Sequence, residues 1–376
     1  MAAVFIVFAF ASVPSVIAQD FKTVHDGVEY AHVEHKIGED PVKINLLRLD
    51  LTKVRLDLKM AMDTVVGTET TSSIAARHGA VAAVNAGFFR LDTSIFAGEP
   101  ANFFMIDGKV LSEGSNERIT LAIANQSSAT RVSFFRPIAE FQLEIGKDTF
   151  TVNGLNREIK ENELIVFTQE FHKTTLAKAG CVEVAVANER IRTVSQAGSL
   201  RIPSDGFVAV TCGDRKPGLQ RAAKAGRKAN VFRIEAARKR SDGYELDDIG
   251  RIEDAVAGVG LLLKNGRVEL TWQQEKAGRS FAESRHPRTA AAKMSDGKFL
   301  LATVDGRQPG VSVGMTLQEL AEYLLAIGAV DAMNLDGGGS TAMVLDGKVV
   351  NKPSDANGER KVGDALIVTL RNAGKR

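Results

Sequence analysis

Residues Arg288 to Asp305 read RTAAAKMSDGKFLLATVD, and this stretch decides the fold. Two apolar runs flank Asp296-Gly297, a pair that favours a tight turn between antiparallel strands. With a two-residue loop, Ser295 faces Lys298, Arg288 faces Asp305 and His286 faces Arg307. Arg288 and Asp305 are then expected as cross-strand neighbours, with Cβ atoms about 5 Å apart. Downstream, MTLQELAEYLLAIGA (315–329) predicts a helix. Thr316 is its N-cap and Glu319 completes a capping box. Leu317, Leu320, Ala321, Leu324 and Leu325 form the apolar stripe. Gly328 is placed to end the helix in the left-handed region. AVDAMNLD (329–336) follows as a strand, with Ala332, Asn334 and Asp336 on one face and Met333 and Leu335 on the other. STAMVLDGKVVN (340–351) reads as a second Asp-Gly hairpin.

Working outward, INLLRLDLTKVRLDLKM (44–60) alternates with period two on either side of a short break, which predicts a strand pair. TSSIAARHGA (71–80) is a short helix with Ser/Thr caps, ending at Gly79. Residues 80–89 read as a buried strand running into a loop. Residues from about 130 to 250 hold short strands separated by Gly, Pro and Asn turns, and are expected to form an inserted β-rich subdomain. The fold class is α+β: a β-rich mixed sheet with a few packed helices. The chain has 376 residues, 44% apolar residues, a net charge of +2 and 34 glycines. Such a composition excludes a disordered chain and offers no global argument for nucleic-acid binding.

Residues 1–18 carry no charge and hold an apolar run too short to cross a bilayer. Val16 and Ala18 suit a signal-peptidase site before Gln19. The expectation is a leader over 1–18, a secreted or periplasmic protein over 19–376, and no later membrane span. Cys181 and Cys212 are either bridged, as export permits, or two separate buried thiols. Between Arg215 and Arg240 lie ten Lys/Arg and a single acid, Glu235. That run is either a solvated face or a contact for an anionic polymer.

The sharpest chemical feature is NLDGGGST, Asn334 to Thr341. Three glycines at a strand end let backbone approach a ligand. Asn334 and Asp336 precede them on one face; Ser340 and Thr341 add hydroxyls. The pattern is neither a P-loop nor a nucleophile elbow. SRHPRT supplies Arg285, His286, Arg288 and Thr289, and guanidiniums suit bidentate phosphate binding. VDGR supplies Asp305 and Arg307. NAGFF supplies Asn85 at a strand end, followed by aromatics. His78 and His172 have no metal spacing, so neither a metal nor a cofactor is expected.

Together AVNAGFF, RHPRTA, VDGRQP and GAVDAMNLDGGGSTAMVLDG, with NKPSD and ER after it, resemble the phosphodiester glycosidase family. The resemblance runs in order from about Val28 to Leu370. It departs at Asn102, where the family shows glycine, and in VAGVGLLLKNG (256–266), which lacks a proline and some glycines. Both departures bear on loop shape and substrate choice. The resemblance implies an exported hydrolase that cleaves the glycosidic bond of a sugar-1-phosphodiester or a phosphate-containing polysaccharide. A departing phosphate needs charge stabilisation more than protonation. Asp336 is then the leading carboxylate, with Asp305 or Glu99 second. Arg285, Arg288 and Arg307 hold phosphate, with Thr289 beside them. Asn85, Asn334 and Ser340 orient sugar hydroxyls, with Thr341 alongside. The Gly337, Gly338 and Gly339 amides line the anion site. A polysaccharide-binding or assembly protein, and a phosphodiesterase that cleaves P–O, remain as rival readings.

Overall fold

The computed structural model describes residues 18–114, 117–234 and 247–371. All of the expected leader except Ala18 falls outside these residues, as does the end of the basic run, 235–240. Three antiparallel sheets surround the main core. The largest runs in the order Lys22–His25, Val28–Ile37, Asp40–Leu49, Phe299–Val304, Arg288–Met294, Ala329–Asn334, Leu261–Lys264, Arg267–Val268. A five-stranded sheet runs Lys348–Val349, Met343–Leu345, Ala82–Asn85, Asp364–Leu370, Val54–Met60. A third, also five-stranded, includes Thr120–Asn125 and Asp254–Ala257. The architecture is therefore β-rich α+β, built from several sheets. Among the described strands the one parallel pairing joins Gly154–Leu155 to Leu164–Thr168.

Side-chain alternation explains the layering. In the large sheet Leu47, Ala291, Leu301 and Met333 point into the main core. Their neighbours Leu46, Ala290, Ala292, Leu300 and Ala302 point the other way, against the helix Leu317–Ala326. Strands buried on both faces read as continuous apolar runs, as FLLATV does. In the smaller sheet Val84, Leu366 and Val368 meet the main core, while Ala83, Ala365 and Ile367 pack on the helix Thr71–Arg77. The order is helix, sheet, sheet, helix. Each buried Leu or Ile contributes about 1.5–3 kcal/mol relative to exposure.

The helix ends follow the sequence closely. Thr316 accepts from the Glu319 amide, and Glu319 returns a bond to the Thr316 amide. Gly328 sits at φ +95°. The Asp346-Gly347 hairpin has the expected two-residue loop, with both residues at positive φ.

Two expectations of register and pairing fail. The Asp296-Gly297 hairpin has a three-residue loop, closed by Met294 N–H to Lys298 C=O at 2.9 Å. Gly297 alone of that loop takes positive φ. The Asp296 carboxylate accepts the Lys298 amide at 3.0 Å, which holds Asp296 in an ordinary turn conformation. Arg288 consequently faces Val304, and Asp305 turns to the opposite side. The two strands of 44–60 do not pair with each other: Asp40–Leu49 lies in the large sheet and Val54–Met60 in the smaller one.

Residues 140–234 add a three-stranded and a five-stranded sheet around Leu143, Val166, Val184 and Leu219. Cys181 and Cys212 are joined by a disulfide, resolving the alternative left open by the sequence. The bridge staples neighbouring strands, where Val182 faces Thr211. In the basic run Arg215 bonds the Thr151 carbonyl, Lys216 the Gly180 carbonyl, and Lys228 pairs with Glu189. Among the described residues no helix is long and apolar enough to cross a membrane.

Candidate active site

One end of the two facing sheets collects the polar residues. Asn85 ends its strand with its side chain fully buried. It donates to the Asp336 carbonyl at 2.7 Å and accepts from the Thr289 hydroxyl at 2.8 Å and the Ala342 amide at 3.1 Å. The Asp336 amide bonds the Ala86 carbonyl at 2.9 Å. Asn85 and Thr289 thus clamp the glycine loop between the sheets, and both are consumed by that task.

Glycine is required within the loop by close approach. A Cβ on Gly337 would lie 2.7 Å from the Pro287 carbonyl, and one on Gly339 would strike Arg360 and Asp355. Gly338 sits at φ +60° under the Arg307 guanidinium. The Gly337 amide donates to Asp336 Oδ1 at 2.9 Å, and the Gly338 amide to the Pro287 carbonyl at 2.9 Å. These two amides therefore hold the loop itself.

Burial pushes the Asp336 carboxyl up to about 6, against bonds from Ser340 and Gly337 and the charge of Arg360. The residue keeps part of its surface open to solvent. Behind it stands Asp364, a carboxylate the sequence reading missed. Its residue is buried and accepts the Gly87 amide at 2.7 Å. Burial, with repulsion from Asp336, pushes it up to about 7. The only local signal for Asp364 is an acid set directly before the apolar run ALIVTL. Repulsion from Asp336 thus adds to burial in disfavouring the ionised form of Asp364.

Arg288 is 1% exposed. Its Nε bonds the Met315 carbonyl at 2.8 Å, and one Nη bonds the Phe281 and Ser284 carbonyls at 2.7 and 3.1 Å. Its Cζ lies 5.1 Å from the Phe281 ring. It has no ion pair with any carboxylate among the described residues. Burial, then the charge of Arg307, pushes it down to about 10. Arg307 is exposed and likewise unpaired, with a non-glycine φ of +60°. His286 contacts Arg307 on one side: its Nδ1 lies 3.4 Å from Arg307, and its Nε2 3.3 Å from the Ser280 carbonyl. A carbonyl only accepts, so this network assigns the proton to Nε2 and the acceptor role to Nδ1. Burial and Arg288 hold this imidazole below its ordinary range.

The other residues singled out bond to partners other than these two acids. Asp305 accepts from Asn351 at 3.0 Å and from the Lys352 amide at 3.1 Å, and reaches the loop through Asn351, which bonds the Thr341 carbonyl. Glu99 pairs with Arg90 at 3.5 Å and accepts the Glu158 amide. Arg285 is saturated by Glu319 and Asp40. Asn334 donates to the Val259 and Leu335 carbonyls, which leaves its buried Oδ1 without a partner, as is the buried Thr341 hydroxyl. Arg360, paired with Asp355 at 2.7 Å, covers Gly339 and was missed as a site residue. Among the described residues no group of three or more His, Cys, Asp or Glu side chains could share a cation.

The fold defines the class: a β-rich α+β protein with several antiparallel sheets about a shared core. The phosphodiester glycosidase family profile matches residues 180–369, half of the chain, and the chain belongs to that family. It is 32% identical to mouse N-acetylglucosamine-1-phosphodiester alpha-N-acetylglucosaminidase over 124 residues, 31% of this chain and 24% of that enzyme. It is 40% identical to the uncharacterised protein YomE of Bacillus subtilis over 85 residues, 23% of this chain and 13% of that one. The chain thus covers at most about a quarter of these relatives. A hypothetical protein from Synechocystis shares the fold at TM-score 0.78 and 22% identity, over 96% of this chain and 65% of that one. A candidate exported protein of Burkholderia pseudomallei aligns at TM-score 0.74 and 25% identity, over 88% and 74%.

Proposed function

We propose that this chain hydrolyses the glycosidic bond of sugar-1-phosphodiesters in cell-surface or extracellular polysaccharide. The observation that carries the reading is Arg288, a buried guanidinium without a carboxylate, on a strand whose backbone packs against Gly337, next to Asp336: a Cβ on Gly337 would lie 3.5 Å from the Arg288 Cα. An unpaired buried cation is costly and gains most from an anionic ligand. Arg288, held by three carbonyls, and Arg307, held by His286, take the phosphate and stabilise its charge as the C1–O bond breaks. Asp336 is ionised and faces the sugar; Asp364, protonated behind it, keeps it in place. Water adds its oxygen to C1, a proton passes to Asp336, and the products are free sugar and a phosphate monoester. The orphaned Asn334 Oδ1 and Thr341 hydroxyl are the loop's spare polar atoms. The disulfide supports an exported protein, since such bridges persist in oxidising compartments.

The test is hydrolysis of a sugar-1-phosphoryl methyl ester in ¹⁸O-water. Label in the sugar is expected; label in the phosphate would mean P–O cleavage, and binding without turnover would mean a polysaccharide-binding protein. Asp336→Asn should lower kcat by about 10³-fold. In the wild type kcat/KM should rise with pH through about 6, as Asp336 ionises.

A further inference from the structure

A second cation near the site has no role in the reading above. Arg118 lies with its Cζ 6.0 Å from the Phe88 ring. Its Nε is buried without a hydrogen-bond partner, and it has no ion pair among the described residues. Phe88 packs edge-on against Phe281, with centroids 6.0 Å apart. Phe281 in turn lies under Arg288. The order is guanidinium, ring, ring, guanidinium, and both rings are partly open to solvent. Phe88 follows Gly87, whose amide holds Asp364, so the ring pair adjoins the acid pair.

Burial disfavours a charge. Arg288 answers this with three carbonyls; Arg118 makes none of these bonds and feels only the charge of the buried Glu275, whose carboxylate is already engaged by Arg136 and the Gly260 amide. Aromatic faces flanked by cations suit a sugar ring whose C–H face lies on the aromatics and whose substituents are anionic. Resting on the reading of this site as a phosphodiester hydrolase, we propose that Arg118 forms a second phosphate subsite. The favoured substrate is a repeating glycosyl phosphodiester. Its sugar lies on the Phe88–Phe281 pair, the scissile phosphate meets Arg288 and Arg307, and the phosphate at the other end of the sugar meets Arg118.

The test compares a sugar-1-phosphoryl methyl ester with the same compound bearing a second methyl phosphodiester on another hydroxyl. Wild type should favour the two-phosphate compound in kcat/KM by about tenfold, less at high salt. Arg118→Ala should bring the ratio close to one, and Arg118→Lys should restore part of it. A wild-type ratio near one, or a ratio unmoved by either substitution, overturns the subsite. If neither compound is hydrolysed, calorimetry separates the two readings. Tighter binding of the two-phosphate compound, lost in Arg118→Ala, keeps the subsite while the hydrolysis reading fails. Equal or absent binding of both compounds overturns the subsite.

Discussion

At the scale of single residues, the unusual investment is two acids kept where water is scarce. Asp364 is raised to about 7 in the folded chain, well above the range of an exposed aspartate. A raised carboxyl contributes stability in full below the unfolded pKa and loses it as pH rises through the folded one. Wild type should therefore lose stability between about pH 4 and 8, at roughly 1.4 kcal/mol per unit of displacement. Asp364→Asn keeps an acceptor for the Gly87 amide and should flatten that slope. Urea unfolding at pH 5 and pH 8 decides the matter; parallel losses in both proteins would remove Asp364 from the account. Asp364 was not legible in the sequence because its neighbours in the chain are apolar strand residues. Its chemical partners, Gly87 and Asp336, meet it only through sheet pairing.

At the scale of elements, the chain contains one dipeptide used twice with two outcomes. Asp346-Gly347 makes the two-residue turn that its composition favours. Asp296-Gly297 does not, because Asp296 caps the Lys298 amide and Ser295 donates its own amide to Gly328 C=O in the loop after the helix. The first choice is local and readable; the second depends on a neighbour over thirty residues away. One residue of register then separates Arg288 from Asp305. The capped helix, the glycine loop and the arginine strand were legible because their signals are local. The pairing of sheets was not. The same loop makes a sharp prediction. Gly337→Ala places a methyl 2.7 Å from the Pro287 carbonyl, so the loop must shift. The expected loss is about 1–3 kcal/mol in thermal unfolding, with a larger proportional loss of turnover. An alanine variant with unchanged kcat would show that the close approach is dispensable.

At the scale of the whole molecule, the disulfide joins residues 31 apart across adjacent strands of an outer sheet. Removing it with paired Cys→Ser substitutions should cost about 3–4 kcal/mol by chain entropy. Calorimetry should show a lower Tm, with turnover at low temperature preserved because neither cysteine contacts the acid pair. Loss of turnover in a folded double variant would tie the outer sheet to the site. The bond network of Asn85 has a different reach. Its three contacts join two sheets whose strands are far apart in sequence, and the same contacts seat Asp336. Misassembled molecules, with the sandwich closed in the wrong register, should therefore be catalytically silent. On the proposed hydrolase reading, turnover per mole is a direct gauge of correct assembly in any preparation of this protein, and a selection for activity is at once a selection for folding.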